Sequence, residues 1–289
     1  MFFKSILLFL LITVSLLDAK SILYKVSSKS NTVYILGSIH LAKPELYPLD
    51  EAIDKAYKKS DVLVVELDAE SPESAVKMQS AMLSLGIYPD SKSLKTELNS
   101  KTYKQLQEYT TKAGVPLQIL EQMRPWVVML QLSVVEMLRL GYSPELGIDK
   151  HFIDRAKVDK KSILELESID EQMALLSKDD KEYQDKLLRY TIESMHEIEP
   201  MLESMFKSWQ NGDAKDIENT FLLSMKNDTD LDEIYDILIT KRNKKMTKKI
   251  VDYLKEERDY FVVVGAGHVI GKGGIVNLLQ NRGYKVSQK

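Results

Sequence analysis

The strongest constraint on this chain is one short pattern that occurs twice, near its two ends. Thr32-Val33-Tyr34-Ile35-Leu36 leads into Gly37-Ser38-Ile39-His40, and Tyr260-Phe261-Val262-Val263-Val264 leads into Gly265-Ala266-Gly267-His268. Each copy is an apolar, β-branched and aromatic run followed by glycine, two residues and histidine. Such a run reads as a buried strand, and a glycine behind it lets the backbone turn sharply. Each histidine is thereby placed just beyond a strand end, where ligands bind in open α/β sheets. Two imidazoles presented alike would meet across one crevice, and imidazole is the commonest protein metal ligand.

The text between the two copies is mainly helical. Ser21–Ser27 and Thr32–Leu36 read as a hairpin with its turn at 28–31. Val62–Val65 is a continuous apolar run that suits a strand buried on both faces, with Glu66 directly after it and Asp68 two residues on, expected on the same side. A weaker strand, interrupted by acids, is expected at 162–166, and a last one at 284–286 behind a helix that Gly283 would terminate. Arg124-Pro125-Trp126 opens an apolar helix through Leu140, with proline in the first turn. The expected fold is therefore α/β: a mixed central sheet built from the N- and C-terminal segments, with a large helical insertion at about 71–259. Residues 20–289 are expected to form a single domain.

Residues 1–19 read as a secretory signal peptide, with Lys4 in the positive region and an apolar stretch from Ser5 to Leu17 too short to span a bilayer comfortably. Export to the periplasm or the medium follows; an uncleaved membrane anchor is the alternative. The chain has no cysteine, which excludes disulfides, thiolate ligands and a cysteine nucleophile. With 40 basic and 43 acidic residues in mixed-sign helices, no nucleic-acid surface is indicated.

Two histidines and a strand-end carboxylate, His40, His268 and Glu66, form a common ligand set for a catalytic divalent cation. Turn-capping by each histidine is the competing explanation. Gly265-Ala266-Gly267 resembles a phosphate cradle, but Ile270 stands where the third glycine of a dinucleotide fingerprint belongs. His196-Glu197 begins like a zincin helix, but Pro200 occupies the second histidine position. No G-x-S-x-G elbow occurs. His151 is expected to pack or cap beside Phe152, Trp126 and Trp209 to lie in the core, and Arg242-Asn243, judged by spacing alone, on an exposed basic helix.

The segments GSIH at 37–40, VVELD at 64–68, GID at 147–149, LELES at 164–168, KRN at 241–243 and the closing block 265–286 resemble the TraB/GumN family, which is related to the Tiki metalloproteases. The likeness is ordered and spans about 21–288. It implies an α/β core with paired G-x-x-H motifs and a glutamate at one site, and a divalent-metal-dependent peptidase activity of the Tiki type. Carried onto this chain, His40, Glu66 and His268 are the metal residues, with Glu66 also available as general base. Arg242 becomes a candidate oxyanion stabiliser and Asn243 a group that orients substrate or a ligand histidine. Gly37 and Gly265 are the structural glycines of the two motifs. Asp149 and Glu167 fall on acidic family positions with no role assigned. The function expected is an exported metal-dependent hydrolase (manganese, cobalt or zinc class) acting on a peptide or small molecule. The alternative is an envelope protein that binds such a ligand without turnover.

Overall fold

A computed structural model describes residues 21–195, 197–223 and 231–289. The expected signal segment at 1–19 and His196 lie outside the described residues.

The local apolar runs become strands Leu23–Ser27 (β1), Thr32–Ser38 (β2), Val62–Val65 (β3), Ser162–Glu165 (β4), Tyr260–Gly265 (β5) and Lys285–Gln288 (β6). They form one mixed sheet in the order β4-β3-β5-β2-β1-β6. β1 and β2 are the expected hairpin, Leu23 opposite Leu36 and Ser27 opposite Thr32. The C-terminal strand β5 inserts, parallel, between β2 and β3, placing Ser38 opposite Gly265 and Val65 opposite Val263. β4 lies parallel to β3 at the edge. Hence β2, β5, β3 and β4 all run the same way and end along one edge of the sheet. Strands covered on both faces have no polar side to show, and Val62–Val65 and Tyr260–Val264 are buried throughout.

Successive side chains of β5 serve opposite faces, as the pleat requires. The Phe261 ring lies 5.7 Å from Tyr57 on helix Glu51–Lys59 and 4.8 Å from Phe152 on helix Ile148–Asp159. Its neighbour Tyr260 instead stacks at 4.7 Å on Tyr253, the last residue of helix Lys241–Tyr253. Helices therefore cover both sides of the sheet.

The stretch 71–259 is not one excursion. β4 and helix Ile148–Asp159 belong to the sheet and its cover, so the insertion divides in two. The first part leaves after β3 and returns beside the end of β2, where Ser143 N donates to Ala42 O at 2.8 Å and Ile148 N to Ile39 O at 3.0 Å. The second leaves after β4 and returns as helix Lys241–Tyr253. These helices build satellite cores of their own, one around Leu94, Leu106, Leu132 and Leu188, another around Trp126, Met173 and Leu187. Both depart from and rejoin the carboxyl edge of the parallel strands, so they rise around that edge. Among the described residues no helix is long and apolar enough to cross a membrane.

Candidate active site

β2 ends at Ser38, and His40 stands two residues beyond it. Helix Ile148–Asp159 begins against this loop with Asp149 in its first turn. One Asp149 oxygen accepts from Ser38 Oγ at 2.8 Å, and the other lies 2.8 Å from His40 Nδ1. The carboxylate fixes the proton on Nδ1 and raises the His40 pKa to about 9. The ring remains largely open to solvent, its side chain 59% exposed.

His268 is carried by the short helix Ala266–Val269, which follows β5 at once. Its Nδ1 lies 2.7 Å from Asn243 Oδ1 on helix Lys241–Tyr253. Asn243 Nδ2 donates to Gly273 O at 2.8 Å, so its Oδ1 must be the atom turned to the imidazole. That assigns the proton to His268 Nδ1 and leaves Nε2 with a free lone pair. Burial pushes the His268 pKa down to about 4, and the ring is neutral at neutral pH.

Glu66 follows β3 and is buried. Its Oε1 accepts from Gly265 N at 2.6 Å and its Oε2 from Arg242 Nη2 at 2.7 Å. Burial alone would raise its pKa; the histidine charges, Arg242 and the Gly265 N–H overcome this and hold it at about 2. With His268 neutral, the protonated His40, Arg242 and the amide are the standing contributors. Arg242 in turn reaches Glu167 beyond β4, through Nε at 2.9 Å and Nη2 at 2.6 Å, while Nη1 donates to Leu238 O at 3.3 Å. Every nitrogen of this guanidinium is engaged.

Gly265 shows how these groups meet. A Cβ added there would lie 3.3 Å from Glu66 Oε1, 3.5 Å from His40 Nε2 and 3.7 Å from His268 Cδ2. The carboxylate and both imidazoles thus surround one point, and His268 Nε2 is 4.0 Å from Glu66 Oε1. Chain ends 228 residues apart in sequence meet because β5 pairs with β2. Among the described residues no group of three or more His, Cys, Asp or Glu side chains is arranged as a metal-binding cluster.

Several residues sit otherwise than sequence reasoning places them. Asp68 does not join Glu66: β3 stops at Val65, strand alternation ends there, and Asp68 Oδ2 faces Lys157 Nζ at 3.5 Å. Neither motif glycine turns with positive φ. Gly37 is still in β2, where a Cβ would strike Ile22 Cγ2 at 2.5 Å, and Gly265 has φ −49°. Close approach requires glycine at 37, while at 265 a Cβ would crowd the site groups at 3.3–3.7 Å. Arg242 and Asn243 leave the exposed face of their helix for the site, and Asn243 is fully buried. His151 packs between the Tyr47 and Phe152 rings, at 5.3 and 5.0 Å. Trp126 and Trp209 are buried, and Trp209 Nε1 donates to Gly37 O at 2.6 Å. The glycine-rich turn is no anion cradle: Lys272 N donates to Glu218 Oε1 at 3.2 Å, and a carboxylate there opposes phosphate. Asp149 and Glu167, without a role in the sequence, prove to be the partners of His40 and Arg242, at separations of 109 and 75 residues that no local pattern encodes.

An α/β sheet that presents two histidines and a glutamate at the ends of its central parallel strands places them where sheets of this class bind ligands. Residues 22–288 match the TraB/PrgY/gumN family, and the chain belongs to it. It is 25% identical over 254 residues to the uncharacterized protein YbaP of Escherichia coli K12, covering 86% of this chain and 87% of that protein, and equally to YbaP of Shigella flexneri. A shorter segment of 51 residues is 39% identical to metalloprotease TIKI2 of Xenopus tropicalis, 17% of this chain and 10% of that protein. A 65-residue segment is 34% identical to a metalloprotease TIKI homolog of Amphimedon queenslandica, 20% of this chain and 13% of that protein. No solved structure gives a significant match.

Proposed function

We propose that this chain is an exported metal-dependent hydrolase that acts on peptides. One observation carries the reading: His40 Nε2, Glu66 Oε1 and the His268 ring surround a single point, while the Nδ1 atom of each imidazole is tied back to an oxygen, of Asp149 and of Asn243. Histidines that hold metals are oriented in this way, by a carboxylate or amide oxygen on the far nitrogen. By the chemistry of their donors, His40, His268 and Glu66 would together hold a divalent cation of the manganese, cobalt or zinc class. When bound, such a cation polarises a carbonyl and lowers the pKa of water, which suits amide hydrolysis. The metalloprotease names of the short-segment relatives support the reaction class, and the apolar N-terminal segment supports export.

The chain's own groups divide the remaining work. Glu66, held ionised by the positive charges around it and the Gly265 N–H, would supply negative charge to the cation. Arg242 holds Glu66 in place through Nη2, with Nε and Nη2 on Glu167 and Nη1 on Leu238 O. Asn243 sets the tautomer of His268 and needs no contact with substrate.

A second reading, a protein that sequesters a peptide or small ligand without turnover, has one observation in its favour. Both oxygens of Glu66 accept from protein donors, Gly265 N and Arg242 Nη2. Titration of chelator-treated protein with manganese, cobalt and zinc, followed by digestion of a peptide library with each, separates the two. Saturable binding near one ion per chain with cleavage, both lost in His40→Ala and His268→Ala, supports the hydrolase. Peptide binding with neither ion uptake nor cleavage overturns it.

A further inference from the structure

We infer that Gly147-Ile148-Asp149 is a clasp on the first histidine loop and that Asp149 is a positioning residue of the centre, an inference that rests on the metal-site reading above. Three consecutive residues grip three consecutive residues. Gly147 lies so close to the loop that a Cβ there would come within 2.2 Å of His40 O, which only glycine permits. Ile148 N donates to Ile39 O at 3.0 Å, and the Ile148 side chain is fully buried in the main core. Asp149 closes the grip, taking Ser38 Oγ on one oxygen and His40 Nδ1 on the other.

The two histidines need this grip unequally. His268 is buried and lies on a helix, with Asn243 fully enclosed behind it. His40 lies on a loop and is 59% exposed, so packing does not choose its rotamer or its tautomer. In water an unconstrained imidazole exchanges its proton between both nitrogens and rotates freely. Asp149 removes both freedoms, because its own carboxylate is held by Ser38 and by the start of a helix anchored in the core. The centre is thus asymmetric: an anion stands behind the exposed ligand and a neutral amide behind the buried one. An anionic partner strengthens the donor power of the opposite nitrogen. The pair of partners also moderates total charge, since a second carboxylate at Asn243 would sit beside Glu66 and Glu167 in a buried pocket.

The test combines ring ¹⁵N spectra of the histidines, recorded metal-free at alkaline pH where His40 is neutral, with calorimetric titration of manganese. Wild type is expected to show His40 as the Nδ1–H tautomer. Asp149→Ala should return His40 to the exchanging mixture of free imidazole, leave the His268 signals unchanged, and weaken manganese binding by about 100-fold. Asp149→Asn retains an oxygen for Nδ1–H and loses the charge; it should keep the tautomer and weaken binding by about 10-fold. A structural role alone would lower the melting temperature of these variants without altering tautomer or affinity, and that result overturns the inference. Wild type that binds no manganese, cobalt or zinc refutes the metal reading, whereas the ¹⁵N spectra decide the clasp in either case.

Discussion

A methyl group placed on Gly265 should abolish the site while leaving the fold intact. The backbone there has φ −49° and ψ 136°, a conformation open to alanine, so no strain arises from the main chain. The new Cβ would sit 3.3 Å from Glu66 Oε1, 3.5 Å from His40 Nε2 and 3.7 Å from His268 Cδ2. These are tight to ordinary contacts that a shift of a few tenths of an ångström relieves. The entropic gain of about 0.4–1 kcal/mol from replacing glycine offsets that crowding. Net stability should change by less than about 1 kcal/mol, or roughly 2–4 °C in melting temperature for a chain of this size. The space between the Glu66 carboxylate and the two imidazoles is nevertheless filled, and metal uptake and peptide cleavage should fall to background. Gly37→Ala provides the contrast. Its Cβ meets Ile22 Cγ2 at 2.5 Å and Ala266 Cα at 3.1 Å, and Ile22 has no exposed surface into which to move. Overpacking of this kind costs about 1–3 kcal/mol, yet folded molecules should still bind metal. Differential scanning calorimetry beside metal titration reads both. Wild-type affinity in Gly265→Ala at an unchanged melting temperature would refute the convergence of the three donors.

Other expectations test the surrounding network. Glu167→Gln removes the carboxylate that Arg242 grips from a pocket where the two side chains are 4% and 15% exposed, and should cost about 3–5 kcal/mol in urea unfolding, as for other broken buried pairs; a loss below 1 kcal/mol would mean Arg242 needs only Glu66. Trp209→Phe leaves Gly37 O without its indole donor inside the core and should cost about 1–3 kcal/mol, measured the same way, with no loss expected if water takes the place of the N–H. For metal-free protein, acid should act through His268. Its folded pKa of about 4 lies below the unfolded 6.5, so the unfolded chain binds more protons between these values; the stabilisation is complete above 6.5 and is lost as pH falls towards 4. Glu66, lowered from 4.5 to about 2, adds a loss of the same sign at still lower pH. The His268 share is at most about 3 kcal/mol, and unfolding of wild type and His268→Gln at pH 7.5 and 4.5 isolates it; identical pH dependence in both would show that His268 does not carry it.

Much of the sheet was legible because burial on both faces leaves its mark on every residue of a strand. Val62–Val65 and Tyr260–Val264 are all apolar for that reason, and the hairpin and the final helix announce themselves by turn chemistry at 28–31 and at Gly283, whose φ is +86°. His40, Glu66 and His268 could be singled out since each follows such a run directly. The limits are equally physical. Strand alternation ceases where the strand does, and Asp68 turned to Lys157 in place of the site. A glycine that relieves crowding looks, in sequence, like one that makes a turn; only the neighbours of Gly37 and Gly265 tell them apart.

The sequence by itself determined which segments are buried, where they stop and which chemically able residues stand at their ends, because those are local consequences of hydrophobicity and backbone preference. Only the tertiary structure decided that the last parallel strand enters between two early ones, bringing His268 to Glu66 and His40, and that Asp149, Asn243, Arg242 and Glu167 stand behind them. The physical reason is range: a strand's composition records that it is covered, whereas its neighbour and its register depend on pairings between segments hundreds of residues apart.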